Sequence, residues 1–464
     1  MIKFGTSGWR AIIADEFTFA NVQLVTRAIC NYLKDKGTGQ LIVGYDPRFM
    51  AERFSEQAAQ IIAANGFEAL LCTRDTPTPA ISYAIRNNKA LGGINFTASH
   101  NPPEYCGIKF STADGAPALP DVTKAIEAEI QSLQKSGSGA KPSGNGAVKE
   151  FDARPGYLAD LESKLKLDLI ARAGLRIGYD ALWATGRGYL DEILTRHGCE
   201  VKVLHDWRDP YFGGHAPEPG EEHLEELKRV VLDGGYDLGV STDGDSDRFG
   251  VLDRDGTFIT PNQLISLLVG YLAESRKWPG GVARSVATSH LVDRAAGKLG
   301  IKVYETPVGF KFIGELINED AIIIGGEESA GLTIKGHYPE KDGILACLLA
   351  AEMVAARQAS LGEMLSQLYS EVGEVHNARI GVHLTDEIKK RLQDRLAGDD
   401  PKDINGRRVA SVNRIDGVKY IFDDGSWLLV RLSGTEPLAR CYAETDSAAD
   451  LEVLLETGKK FILG

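Results

Sequence analysis

The sequence predicts an α/β protein: units with mixed, mostly parallel sheets in series, closed by a smaller C-terminal α+β unit. Three observations lead there. Short β-branched runs alternate with amphipathic helical patterns over the first three quarters of the 464 residues, the rhythm of parallel sheets with helices on their faces. The pentapeptide "RIGYD" (176–180) echoes "IVGYD" (42–46), which fits serial copies of one plan. From about residue 375 the pattern changes to a hairpin, a further strand and one helix.

In chain order, "QLIVGYD" (40–46) reads as a strand ending in an acidic turn, "RFSEQAAQIIAANG" (53–66) as a helix closed by Gly66, and "FEALLC" (67–72) as the next strand. A helix at "LPDVTKAIEAEIQSLQ" is followed by "KSGSGAKPSGNGA" (135–147), a Gly/Ser-rich linker and the clearest boundary. The second unit opens with a helix and "LRIGYDALWATG" (175–186), then sets two strands around the acidic loop of "YDLGVSTDGDSDRFGVLDRDG" (236–256). The third runs from the helix "PNQLISLLVGYLAES" through "ARSVATS", "IKVYETP" and "AIIIGGEESAG" to the helix "DGILACLLAAEMVAARQ". The last holds the hairpin "GVKYIFDDGSWLLVRLSG", the strand "ARCYAET" and the helix "SAADLEVLLETGKKFI". Length alone suggests roughly three domains. The pattern fits four better, at 1–136, 150–255, 256–372 and 373–464.

Composition narrows the function classes. At 43% hydrophobic and 25% charged residues the chain can bury several cores. A net charge of -13 excludes a general nucleic-acid binder, though not a small anionic substrate in a locally positive cleft. The six cysteines (Cys30, Cys72, Cys106, Cys199, Cys347, Cys441) form no CxxC pair and read as reduced structural thiols. "MIKFGTSGWRA" lacks the apolar segment of a signal peptide, and no apolar run is long enough to span a bilayer. The expectation is a cytoplasmic protein without membrane or nucleic-acid partners.

Five stretches carry chemistry. In "DGDSDR" the alternating Asp243, Asp245 and Asp247 would project to one side of an extended backbone. Three crowded carboxylates need a cation or protons, and hard oxygen ligands favour Mg²⁺ or Ca²⁺. A solvated acidic turn is the plainer alternative. An EF-hand fits poorly, since Arg248 replaces its turn glycine and Arg254 its bidentate glutamate. In "TASHNPPEYCGIK" (97–109), Ser99 reads either as the cap of a helix or turn or as a nucleophile. Pro102 and Pro103 oppose a continuing helix, and His100 and Lys109 offer an acid/base and a cation. No GxSxG or SxxK pattern surrounds the serine. "FGTSGWR" with Arg10, and "RLSGTEP" with Arg431, Ser433, Gly434 and Thr435, read as anion-receiving loops or as ordinary turns. "GGEESAG" offers Glu327 and Ser329 to sugar hydroxyls, or is a strand-to-helix turn.

Taken together, "GTSGWR", "TASHNP", "DGDSDR", "GEESAG" and "RLSGTEP" in this order resemble the α-D-phosphohexomutase family, which includes phosphoglucomutases and phosphomannomutases. The resemblance implies three α/β domains of related topology and a smaller fourth around a central cleft. It implies a phosphorylated Ser99, with Mg²⁺ held by Ser99, Asp243, Asp245 and Asp247. Arg10, His100, Lys109 and Arg248 would surround the transferring phosphoryl group, with Lys109 exchanging the proton. Glu327 and Ser329 would grip the sugar, Lys311 would add a phosphate or sugar contact, and Arg431, Ser433, Gly434 and Thr435 would hold the second phosphate.

The implied activity interconverts hexose 1- and 6-phosphates through a 1,6-bisphosphate, with glucose 1,6-bisphosphate as activator and hexose phosphates as the small-molecule partners. The protein would be a monomer or homodimer. "GEESAG", "ETPVGFKF" (305–312) and "EKDGI" (340–344) look closer to glucose-preferring mutases than to the phosphoglucosamine group, whose sugar loop reads GEQSGH. Bifunctional mannose/glucose enzymes carry a histidine near the position of Leu332, and His337 is the candidate replacement. The alternatives are mannose or dual specificity, a phosphopentomutase, a hexose-1,6-bisphosphate synthase, a Mg²⁺-dependent phosphatase, and a non-catalytic sugar-phosphate sensor.

Overall fold

The apolar runs of the first unit fold as β1 Trp9–Ile12, β2 Gln40–Tyr45, β3 Glu68–Cys72, β4 Gly92–Phe96, β5 Tyr105–Thr112 and β6 Val148–Phe151. The computed structural model describes residues 2–5, 8–136, 144–398, 400–432 and 438–464. Strand order is β1-β5-β4-β2-β3-β6, with β4, β2, β3 and β6 parallel and β5 and β1 antiparallel at one edge. β4 is buried along its whole length, as a strand covered by helices on both faces must be. The helix Ala51–Ala64 presents Phe54, Ala58 and Ile62 to the core, one apolar stripe at helical spacing.

The second sheet holds β7 Arg176–Asp180, β8 Glu200–Leu204, β9 Leu238–Thr242, β10 Phe249–Asp253 and β11 Phe258–Ile259, in the order β11-β10-β9-β7-β8. The third holds β12 Gly281–Ser285, β13 Val303–Thr306, β14 Ile322–Glu327 and β15 Gly331–Ile334, in the order β13-β12-β14-β15. One four-strand plan recurs: β3-β2-β4-β5, β8-β7-β9-β10 and β13-β12-β14-β15. In each, three strands run parallel and the last turns back antiparallel. The echoed pentapeptides lie on the equivalent strands β2 and β7. The expected mixed, mostly parallel sheets of related topology are the observed ones.

Two expected domain edges fall inside hydrogen-bonded sheets. Position 150 lies within β6, which returns after the linker to pair with β3. Position 256 precedes β11, which pairs with β10. Short edge strands of this kind lack a strong pattern of their own.

The last unit is a single antiparallel sheet of β16 His376–His383, β17 Asp403–Ile404, β18 Arg407–Asn413, β19 Val418–Phe422, β20 Trp427–Leu432 and β21 Leu438–Thr445, ordered β16-β21-β20-β19-β18-β17. Its side chains alternate faces, as a strand requires. Leu428 and Val430 join Leu392, Leu454 and Ile462 of two helices. Trp427 and Leu429 instead pack on Val286 and Ala287 of the third unit.

The helix Gly343–Arg357 is buried almost all round, the mark of a helix enclosed by several layers. Among the described residues no single helix is long and apolar enough to cross a membrane. The pair Gly343–Arg357 and Leu361–Val372 passes that test only together, across a 79° bend.

Candidate active site

In all three α/β units candidate residues lie at the bend between the last parallel strand and its antiparallel neighbour. These bends are 97–104, 243–248 and 328–330.

The first bend is tied down from within. Thr97 Oγ1 accepts the Ser99 N–H at 2.8 Å and donates to Asp46 Oδ2 at 2.6 Å. Arg48, wholly buried, donates Nε to Asp46 at 2.9 Å, Nη2 to the carbonyls of Ser99 and Asn101 at 2.6 Å each, and Nη1 to those of Pro102 and Tyr105 at 2.6 and 3.0 Å. This guanidinium lies over the Phe212 ring of the second unit, 5.0 Å from its centroid. The clamp holds Ser99 at φ +52°, a conformation costing a non-glycine residue about 1–2 kcal/mol. No helix begins at Ser99; the chain turns and enters β5. The helix-cap reading is thereby removed.

Ser99 Oγ donates to Asp243 Oδ2 at 2.7 Å, with His100 Nδ1 3.3 Å away. Having given its one proton to Asp243, the hydroxyl can take only a donated hydrogen from the imidazole. His100 is held well below its ordinary pKa by burial and then by Arg248 and Arg10.

The second bend differs from its expected form. Asp243, Asp245 and Asp247 do not alternate along a strand. They sit in a turn with Ser246 at φ +58°, which gathers one carboxylate oxygen from each to within 4.8 Å of the others. Gly244 permits the docking of this bend on the first: a Cβ there would stand 2.3 Å from Ser99 O. All three aspartates are fully buried, so the plainer reading of a solvated turn falls away.

Lys109 Nζ lies 2.5 Å from Asp245 Oδ2 and 2.7 Å from Asp247 Oδ2, and Lys341 Nζ lies 2.7 Å from the latter. Thr78 Oγ1 also donates to Asp245. Burial, then the Asp247 and Asp245 carboxylates, push Asp243 up to about 8. Burial would raise Asp247 too, but Lys109, Lys341 and Arg248 hold it below the usual range. Burial opposes the Lys109 charge, yet Asp245 and Asp247 keep it above its ordinary value.

The buried oxygens Asp245 Oδ1 and Asp247 Oδ1 have no hydrogen-bond partner among the described residues. Orphaned, hard carboxylate oxygens are the donor set a small divalent cation takes, so the triad fits a metal site.

Arg10, on β1, donates to Asn101 Oδ1 at 2.7 Å. Its pKa is lowered by burial and by Arg248, against Asp245 and Asp247. Arg248 donates its N–H to Asp243 Oδ1 at 3.0 Å and Nη1 to Glu218 at 3.4 Å. Ser99, Lys109, Arg10, His100, Arg248 and the aspartates are therefore one cluster, although they come from two units.

At the third bend, Glu327 ends β14 and accepts the Gly309 N–H at 2.8 Å. Burial, then Glu328, push it up to about 7. The Phe249 N–H donates to Ala330 O at 3.3 Å, joining this bend to the second. Ser329 is half-buried beside it, and Lys311, lowered by burial against the pull of Glu327, lies near. In the last unit Arg431 donates to Asp416 Oδ2 at 2.6 Å. Ser433, Gly434 and Thr435 lie outside the described residues.

His337 is not part of this cluster. It is wholly buried with Nε2 2.8 Å from Asp342 Oδ2, which also accepts Tyr157 OH at 2.7 Å. Asp342 caps the buried helix Gly343–Arg357, so His337 supports a helix start.

Sequence reasoning missed Asp46, Arg48, Thr78, Thr97 and Lys341 as members of the site. Asp46 and Arg48 follow directly on a buried strand, where α/β folds place functional groups. Lys341 lay in the quoted "EKDGI" without a role.

The sequence matches four patterns described as phosphoglucomutase/phosphomannomutase α/β/α domain I (residues 1–137), domain II (155–256), domain III (260–372) and the C-terminal domain (383–457). The chain belongs to the phosphoglucomutase/phosphomannomutase family. It is thus an enzyme, a mutase of that family. Family relatives include a phosphoglucomutase of Komagataeibacter xylinus, 30% identical over 98% of this chain and 89% of its own. Another is a probable phosphoglucosamine mutase of Methanothermobacter thermautotrophicus, 32% identical over 95% and 93%. A Thermus thermophilus structure described as a "putative phosphomannomutase" superposes with a TM-score of 0.86 at 34% identity, covering 100% of this chain and 99% of that one. The phosphoglucomutase/phosphomannomutase relatives thus bear the names of three different sugars.

Proposed function

We propose that the protein is a Mg²⁺-dependent phosphohexomutase that interconverts glucose 1-phosphate and glucose 6-phosphate through phosphorylated Ser99. The observation that carries this reading is the Ser99 hydroxyl 2.7 Å from Asp243, inside a buried carboxylate cluster matched by lysines and arginines. Asp243, Asp245 and Asp247, with the Ser99 phosphate, would hold Mg²⁺, whose role when bound is to neutralise charge on the phosphoryl oxygens.

The remaining work falls to the chain's own groups. Phosphoryl transfer breaks the P–O bond to Ser99 as a P–O bond to the free sugar hydroxyl forms, giving the 1,6-bisphosphate. Arg10, His100 and Arg248 stabilise the charge in flight, in a site closed enough to strengthen each contact. Lys109, held in its charged form, would give its proton to the Ser99 oxygen as that bond breaks and take up the sugar hydroxyl proton in exchange. Glu327, Ser329 and Lys311 hold the sugar, and Arg431 with Ser433, Gly434 and Thr435 holds the idle phosphate. The bisphosphate then turns end for end, and its other phosphate returns to Ser99. The burial of His337 against Asp342 favours glucose over dual specificity, because it leaves no loop histidine for mannose.

The test is turnover of glucose, mannose, glucosamine and ribose 1-phosphates side by side, with Mg²⁺ and a trace of glucose 1,6-bisphosphate as activator. Glucose is expected to lead. Intact-mass measurement is expected to show one labile phosphate that Ser99→Ala lacks, and a fully active Ser99→Ala enzyme would refute the mechanism.

A further inference from the structure

The last unit meets the third along a polar seam centred on the turn "DGVK" (416–419) that leads into β19. Asp416 Oδ2 accepts two hydrogen bonds there, from Arg431 Nη2 at 2.6 Å and from the Val308 N–H at 3.0 Å. The next residue, Gly309, gives its N–H to Glu327. One carboxylate oxygen therefore links the arginine of the last unit to the segment that supports the sugar-loop glutamate.

The turn itself is held on both sides. Gly417 sits at φ +81°, and a Cβ there would stand 2.5 Å from Val430 O and 2.6 Å from Arg431 Cγ, so only glycine lets the arginine stem lie along the turn. Lys419, fully buried, donates to Val286 O at 2.9 Å and lies 3.8 Å over the Trp427 ring. Val308 packs against the apolar pad that joins the two units. The Arg431–Asp416 pair is accordingly no mobile surface ion pair. Among the described residues Arg431 Nε is buried without a hydrogen-bond partner, so the guanidinium keeps donor capacity for an anion.

We propose that Asp416 is a positioning residue for phosphate capture. It aims Arg431 and, through Val308, ties that arginine to the Glu327 segment, so that phosphate and sugar are gripped together. This rests on the mutase reading for the role of Arg431. An arginine fixed in advance loses less freedom on binding than a free one.

Asp416→Asn keeps an acceptor for Val308 and removes the charge that holds Arg431. It is expected to raise KM for glucose 1-phosphate about tenfold, the order of one charge-assisted hydrogen bond, with kcat changed less than about threefold. The Kd for glucose 6-phosphate by calorimetry is expected to rise in step. Arg431→Ala is expected to raise both further, and adding Asp416→Asn to it to change nothing more, since coupled residues are non-additive. Unchanged KM and Kd in Asp416→Asn, or additive effects in the cycle, would overturn the proposal. Asp416→Ala, which also strips Val308 of its acceptor, is expected to lower kcat as well; should it fail to fold, Asp416→Asn carries the test. A wild type that binds glucose 6-phosphate without turning over glucose 1-phosphate defeats the mutase reading, and calorimetry still decides on Asp416. A wild type that binds neither sugar phosphate overturns both.

Discussion

Arg48 holds Ser99 by its main chain: Nη2 lies 2.6 Å from the Ser99 carbonyl oxygen, while the same guanidinium engages two further carbonyls of that bend and that of Tyr105 at the start of β5. Arg48→Ala would leave Asp46 buried without its cation. A loss of about 3–5 kcal/mol in urea unfolding is expected, and the double variant with Asp46→Asn should recover part of it. A loss under about 1 kcal/mol would show that the clamp is dispensable.

The triad is the candidate metal site. Asp245→Asn removes one charge from a cluster whose free oxygens suit a cation. The Mg²⁺ concentration for half-maximal turnover is expected to rise at least about tenfold. An unchanged titration would show that another group binds the ion.

Lys341 neutralises Asp247 from the third unit. Lys341→Met keeps the stem and removes the charge. Turnover is expected to fall about 100-fold or more, as for loss of a preorganised charge in a closed site. Retention of most activity would relegate Lys341 to a structural contact.

Glu327 supplies a pH test. Its folded value of about 7 lies above the ordinary 4.5, because burial and Glu328 disfavour the charge. The folded state holds the proton more tightly, so this stabilisation is complete below about 4.5 and is lost as pH rises through about 7. Glu327→Gln cannot ionise, and is expected to gain about 1–3 kcal/mol on the wild type across that window. Denaturant unfolding at about pH 4.5 and pH 8 compares the two. An equal difference at both would contradict the raised value.

Most of the fold was legible because long periodic segments report their own state. The helix Pro261–Arg276 and the strands on either side of the acidic loop fall where the pattern puts them. β6 and β11 were not, since two to four residues carry too little pattern and belong to their sheets through pairing alone. At the candidate site, several residues that the motifs single out do come together, Ser99, Lys109 and the three aspartates among them. Their supporting groups were not legible: Arg48 finds the Ser99 bend 51 residues away, and Lys341 finds Asp247 across 94. The aspartates were right in identity and wrong in geometry, because a turn rather than strand alternation gathers them.

The three equivalent bends work like the jaws of a lathe chuck: each is machined to one pattern, and none grips alone. One jaw carries Ser99, the second the three aspartates, and the third Glu327. A single unit cut from the chain, however well it folded, would hold only a part of this cluster, because Ser99, Asp243 and Lys341 come from three different units.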